Sequence, residues 1–152
     1  MPFFRVHVDA LIRRGSEILI LQHATGARRG AWAWPGGSLE EDESPEEAVR
    51  REVREETGLE LSSVRILRAT RYRSRSGSSP AVGITYVCEL PPDAEARLSE
   101  EHTAARWIDA AEFRSRYLGD EVLTAVSDDP DTLTQIEGMR GVLDAYLVEY
   151  AG

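Results

Sequence analysis

An α/β sandwich, with a mixed β-sheet held between helices, is the fold class this chain predicts. Three observations carry the prediction. Stretches of period-two hydrophobicity stand on both sides of residues 44–58, which read as one sharply bounded helix. A second run, at helical spacing, occupies the C-terminal end. A length of 152 residues suffices for one core and leaves little for another, so residues 1–152 read as a single domain.

Phe4 to Ile12 alternates Val6, Val8, Ala10 and Ile12 against Arg5, His7, Asp9 and Leu11, the signature of a strand. Arg14-Gly15-Ser16 is a turn, and Glu17 to Gln22 holds the unbroken run Ile18-Leu19-Ile20-Leu21 expected of a strand covered on both faces. These two strands are expected to pair. His23 to Gly30 is a polar loop that feeds Ala31-Trp32-Ala33-Trp34-Pro35-Gly36-Gly37. Pro35 steers Trp34 to an extended conformation and toward core packing, while Trp32 is a candidate border of a ligand site. His7 and His23 have no partners at metal-ligand spacing.

The helix is bounded by local chemistry. Ser44 is an N-cap, Pro45 suits the first helical position, Glu47 completes a capping box, and Gly58 takes the left-handed conformation that closes a helix. The helix therefore runs from Pro45 to Thr57. Leu61 to Arg73 follows as a strand that turns polar at Arg71-Tyr72-Arg73-Ser74-Arg75, and Ser76 to Pro80 is a connection. Ala81 to Leu90 then alternates, with Val82, Ile84, Tyr86, Cys88 and Leu90 on one face, so Cys88 reads as a small core residue. Asp109 with Glu112 starts a short helix, Asp128-Asp129-Pro130-Asp131 reads as a turn, and Thr132 with Gln135 starts a last helix. That helix reaches about Tyr150, with Ile136, Met139, Leu143, Tyr146, Leu147 and Tyr150 facing the core.

Charge narrows the function. The formal net charge is -9, and all 18 basic residues are arginine. Such a balance argues against general nucleic-acid or anionic-membrane binding, which wants a basic surface. Polyphosphates remain open, because a cation can bridge carboxylate to phosphate and arginine grips phosphate in a bidentate way. The single Cys88 excludes an intrachain disulfide and a multi-cysteine zinc site, as a reducing, cytoplasmic compartment would suit. The N-terminal stretch is interrupted by Arg5 and Asp9 and reads as strand instead of export signal, and no stretch is apolar enough to span a membrane.

Chemistry concentrates between Gly36 and Leu59. Glu52, Glu55 and Glu56 stand at i, i+3 and i+4 on one helical face. Like charges four apart, as in Glu52 and Glu56, cost a few tenths of a kcal/mol. On the same helix Glu46 with Arg50 and Glu47 with Arg51 are favourably ordered pairs, so the penalty is local, as at functional sites. Clustered carboxylate oxygens suit a hard divalent cation, Mg²⁺ first and Mn²⁺ next.

The spacing of these residues forms a longer pattern. Gly37 is followed by five residues and Glu43, seven more and Arg51-Glu52-Val53, one more and Glu55-Glu56, then Thr57-Gly58-Leu59. This pattern, GX5EX7REUXEEXGU with U aliphatic, resembles the Nudix box. One position departs from the wider pattern: Asp42 stands where glycine is usual, and Asp tolerates left-handed turns better than most residues. A later segment, Glu101 six residues before Trp107, is similar to a further family motif.

The resemblance implies a Nudix-type α/β/α sandwich with a mixed β-sheet, MutT-like in layout. It implies a pyrophosphohydrolase in which water attacks a phosphorus of a nucleoside diphosphate linked to a further group. Glu52 and Glu56 would be the principal metal ligands, assisted by Glu55 and the Gly36 carbonyl. Glu52 would also orient or deprotonate water, with Glu101 as rival base or further metal ligand; Arg51 would orient a neighbouring carboxylate through a bidentate pair, and Glu43 would support the helix or a metal-bound water. The layout leans to nucleoside triphosphates. ADP-ribose, other nucleotide sugars, dinucleoside polyphosphates and coenzyme A stay open, as do a catalytically silent nucleotide sensor and a homodimer of the kind common in relatives. Arg71 to Arg75 and Tyr72 are candidate substrate contacts.

Overall fold

Strand formation follows the alternation closely. The computed structural model describes residues 3–26, 29–73 and 80–150. Among them lie the strands β1 (Arg5–Arg14), β2 (Glu17–His23), β3 (Trp32–Ala33), β4 (Gly36–Ser38), β5 (Ser63–Arg73), β6 (Pro80–Glu89) and β7 (His102–Asp109). The helices are α1 (Pro45–Thr57), α2 (Ala110–Tyr117), α3 (Asp120–Ala125) and α4 (Pro130–Tyr150). Strands β3 and β4 and helix α3 are too short to show a period, and the sequence did not predict them.

The sheet is mixed. β1 runs parallel to β6 from Arg5↔Ala81 to Arg13↔Glu89, and β6 is antiparallel to β5. On its other edge β1 meets β2 only near the turn, at Arg13↔Ile18 and Arg14↔Glu17, and then diverges. Short strands fill the opening: β3 pairs with β2, and β4 pairs with β1 through His7↔Ser38, Val8↔Gly37 and Asp9↔Gly36. The segment Trp32–Ser38 thus crosses from one half of the sheet to the other, and its two glycines arrive beside the middle of β1.

Two apolar layers complete the sandwich. Val8, Ala10, Ile12, Leu19, Leu21, Tyr86 and Cys88 pack with Ala48, Val49 and Val53 of α1. Leu11, Ile18, Ile20, Trp34 and Val87 pack on the opposite face with Phe113 of α2 and Val142, Leu143 and Tyr146 of α4. The run Ile18-Leu19-Ile20-Leu21 is buried on both faces, as its lack of alternation predicts. Burial pushes the Cys88 thiol up to about 12.

α1 begins and ends where its caps place it. Glu47 N–H donates to Ser44 Oγ, Glu47 Oε2 accepts from Ser44 N–H at 2.7 Å, and Gly58 closes the helix at φ 69°. The pairing expected between Glu47 and Arg51 gives way, because the capping box takes Glu47 while Arg51 serves other carboxylates. Arg50, expected to pair with Glu46, donates to the Leu61 carbonyl at 2.8 Å. Asp42 is not left-handed, since Asp93 is the positive-φ non-glycine among the described residues, so the turn before α1 needs no glycine.

The start of α4 corrects the sequence reading. Asp129, read as part of a turn, accepts from the Asp131 and Thr132 N–H groups, and Pro130 occupies the first helical position. Thr132 lies inside the helix. Its hydroxyl bonds to the other Asp129 oxygen, which is why its capping signal misled by three residues. Asp109 does cap α2, accepting from Ala111 and Glu112 N–H.

Candidate functional site

Arg51 is the centre of a carboxylate network on α1. Its guanidinium grips Glu43 through both oxygens, at 2.6 and 2.9 Å. Nη1 donates to Glu52 Oε1 at 2.9 Å and to Glu55 Oε2 at 3.2 Å, and Nη2 reaches the Ser38 carbonyl at 3.0 Å. One cation therefore ties the helix to β4 and holds three acids. Arg51 lowers the Glu43 carboxyl below its ordinary value. Glu52 moves the other way, because burial outweighs Arg51.

Glu52 and Glu55 share Arg51 and separate in depth. The Glu52 side chain is 15% exposed and that of Glu55 57%. Glycine is what lets Glu52 come close to β4: a Cβ on Gly37 would lie 2.2 Å from its carboxylate carbon. Glu56 is buried one turn further on, where Oε1 accepts the Gly36 N–H at 3.1 Å and Oε2 lies 3.1 Å from His102 Nε2. Burial raises Glu56 to about 8, opposed by the Gly36 N–H and reinforced by Glu52, Glu101 and Asp9. Glu101 is exposed in the turn just before β7, and one ligand atom each from Glu56, Glu101 and His102 fall within 4.8 Å of one another.

Beside these acids opens a cleft of about 560 Å³. Its carboxylate end is lined by Asp9, Gly36 and Glu56, its floor by Gly83 and Thr85 of β6, and its far wall by Trp34 and by Gln135 and Met139 of α4. Among the described lining residues are three acids, Asp9, Glu56 and Asp131, and neither arginine nor lysine.

The family model for the NUDIX domain matches residues 3–127. The chain belongs to the Nudix family. A MutT-like protein of Streptomyces ambofaciens is 32% identical to this Nudix domain over 116 residues, 76% of the chain and 70% of that protein. The asymmetrical bis(5'-nucleosyl)-tetraphosphatase of Mus musculus is 36% identical over 97 residues, 60% of the chain and 63% of that protein. A crystal structure of a MutT NUDIX hydrolase from Burkholderia pseudomallei aligns with a TM-score of 0.65 at 28% identity, covering 72% of this chain and 85% of that one. The Nudix domain spans only 31% of a further relative, an octanoyltransferase of Myxococcus xanthus.

The donor set of this Nudix domain fits a divalent cation. Glu52 and Glu56 are carboxylates raised first by burial, Glu52 further by Glu55 and Glu56 further by Glu52, so a cation beside them would relieve both. Gly37 keeps the ground beside Glu52 clear, and a Cβ on Gly36 would lie 2.4 Å from Asp9 Oδ1.

Sequence reasoning missed Asp9, His102 and the wall of the cleft. Asp9 sits on the strand face that carries Arg5, His7 and Leu11, and His102 follows Glu101 without a motif of its own. Asp9 meets His7 two residues away, but the Gly36 beside Asp9 and the Glu56 beside His102 are distant in the chain, so no spacing marks the site. Trp34 is 7% exposed in the core and also borders the cleft, whereas Trp32 is half-buried beneath Arg106. Arg71 is exposed on β5. Ser74 and Arg75 lie outside the described residues, as do the side chains of Tyr72 and Arg73. No helix among the described residues is long and apolar enough to cross a membrane.

Proposed function

We propose that this Nudix domain, a single unit over its 152 residues, is a divalent-metal-dependent pyrophosphohydrolase. It cleaves nucleoside diphosphates linked to a further group, with nucleoside triphosphates as the leading class. The observation that carries the reading is the placement of Glu56, with Glu52 beside it, at a cleft whose described lining holds neither arginine nor lysine. A polyphosphate entering there meets Asp9, Glu56 and Asp131 and no arginine or lysine, so its charge is to be matched by a cation held on those acids.

In this reading Glu52 and Glu56 hold the cation, helped by Glu55 and by the Gly36 carbonyl. Mg²⁺ or Mn²⁺ there supplies the charge that offsets the phosphate oxygens and makes water easier to deprotonate. Arg51 fixes Glu52 and Glu55 by their hydrogen bonds to Nη1, so that neither carboxylate has to be ordered during the reaction. Glu52 or Glu101 accepts the proton of the attacking water; both are carboxylates near Glu56. The cleft beyond takes the uncharged base, between the apolar surfaces of Trp34 and Met139 and within reach of the Gln135 amide.

A second reading, asymmetrical cleavage of a dinucleoside tetraphosphate, is favoured by the identity to the mouse tetraphosphatase. A panel of nucleoside triphosphates, ADP-ribose and diadenosine tetraphosphate, with the Mg²⁺-dependent products resolved by chromatography (a nucleoside monophosphate with pyrophosphate, against AMP with ATP), separates the two. Glu56→Gln is expected to lower kcat/KM on the preferred compound by at least ~10²-fold, the scale of a lost transition-state charge contact. Tight binding without turnover of any compound would replace the hydrolase with a nucleotide sensor.

A further inference from the structure

We propose that His102 is a positioning residue for Glu56, holding the carboxylate so that it presents one fixed face to the divalent cation; the inference rests on the metal-binding reading of Glu56 given above. The geometry is specific. The side chains of His102 and Glu56 are 3% and 6% exposed, and Nε2 lies 3.1 Å from Oε2. The opposite oxygen, Oε1, accepts from Gly36 N–H at 3.1 Å. Each oxygen therefore has its own donor, one from β7 and one from β4, and the carboxylate cannot turn without breaking one of them.

The backbone around His102 is fixed as firmly. His102 opens β7 opposite His23, where the pairing with β2 shifts register between Gln22 and His23. Ala24 N–H donates to the Glu101 carbonyl at 2.9 Å, and Ser99 N–H donates to the Glu56 carbonyl at 3.0 Å. The last turn of α1 and the first residue of β7 are thus tied through Ser99, whose carbonyl accepts the His102 N–H at 3.2 Å. The His23 and His102 rings lie 5.3 Å apart and tilted, which limits rotation of the imidazole.

The other ring nitrogen identifies the tautomer. Nδ1 is buried and has no hydrogen-bond partner among the described residues. A neutral imidazole carries one N–H, and that proton belongs on the nitrogen with an acceptor in reach, which is Nε2 facing Glu56. A ligating carboxylate oriented by a donor behind it is a common arrangement, and loss of such a donor weakens metal affinity by roughly 10- to 100-fold.

The test uses the whole chain, with Mn²⁺ as the probe and no substrate. Free Mn²⁺ is titrated by electron paramagnetic resonance in wild type, His102→Ala, His102→Asn and His102→Gln, with thermal melts alongside. A glutamine amide reaches as far as Nε2, while an asparagine amide reaches only as far as Nδ1. His102→Ala and His102→Asn are expected to weaken Mn²⁺ by 10- to 100-fold, His102→Gln to stay within threefold of wild type, and kcat to fall more than KM changes. If the alanine chain does not fold, the contrast between asparagine and glutamine decides alone. Unchanged Mn²⁺ affinity in the asparagine variant, or failure of glutamine to restore it, overturns the inference. So does a nitrogen hyperfine coupling showing the imidazole bound directly to Mn²⁺, which would make His102 a ligand. A wild-type chain that binds no Mn²⁺ overturns the hydrolase reading as well, whereas normal binding that His102 does not influence overturns this inference only.

Discussion

Gly37→Ala separates the site from the fold. A Cβ at this position would lie 2.2 Å from both Cδ and Oε1 of Glu52 and 2.5 Å from Oε2, while ordinary contact begins at 3.4 Å. The Glu52 carboxylate therefore has to retreat by about 1.2 Å, the difference between 3.4 and 2.2 Å. It is the far end of a flexible side chain, so folding stability is expected to change by less than about 1 kcal/mol. The displacement also pulls Oε1 from its 2.9 Å hydrogen bond to Arg51. Misplacing a reacting group by about 1 Å costs on the order of 10²-fold in rate, or about 2.7 kcal/mol of transition-state stabilisation. Gly36→Ala is the contrasting control. There the Cβ meets the Val8 carbonyl oxygen at 2.4 Å, a backbone atom of β1 that has no easy retreat, and the strain falls on the sheet. Steady-state kinetics on the preferred nucleotide, with urea denaturation of both variants, tests the pair. Gly37→Ala should keep its denaturation midpoint and lose about 10²-fold in kcat/KM, while Gly36→Ala should lose about 1–3 kcal/mol of stability. A Gly37→Ala chain with kcat/KM within threefold of wild type would refute the placement of Glu52 at the reacting centre.

Two further outcomes follow from particular contacts. Glu56 is raised from 4.5 to about 8 in the metal-free chain, so between those values the folded state holds a proton that the unfolded state has released. Its stabilising contribution is therefore full below about 4.5 and is lost as pH rises toward about 8, while divalent-cation affinity rises over the same window because binding expels that proton. Thermal melts in a chelator should show this decline for wild type and lack it for Glu56→Gln. Asp129→Ala removes the acceptor for two N–H groups at the start of α4 and should cost about 1 kcal/mol in urea denaturation; an unchanged midpoint would place the helix start elsewhere.

What was readable without coordinates was local in origin. Ser44, Glu47 and Gly58 act within four residues of themselves, so the bounds of α1 followed from chemistry that cannot depend on the remaining chain. Alternation in β1 and β6 likewise needs only two faces with different surroundings. The same locality explains the failures. Thr132 offered a cap signal as good as that of Asp129, and of the acids Glu47, Glu52 and Glu55 within helical reach of Arg51 the capping box takes Glu47 while the other two keep the arginine. Glu43 won the bidentate grip because it approaches from the preceding turn, outside the helical repeat.

The sequence by itself determined the long strands β1, β2, β5 and β6, the central helix and the row of carboxylates on its face, since periodicity and capping are properties of neighbouring residues. Only the tertiary structure decided that β1 lies parallel to β6, that Trp32–Ser38 bridges a divided sheet, and that Asp9, His102 and α4 converge on Glu56 and its cleft. Those contacts join residues far apart in the chain. Their positions are set by how two layers of side chains fill the space on either side of the sheet, a condition the whole molecule satisfies at once and no single stretch records.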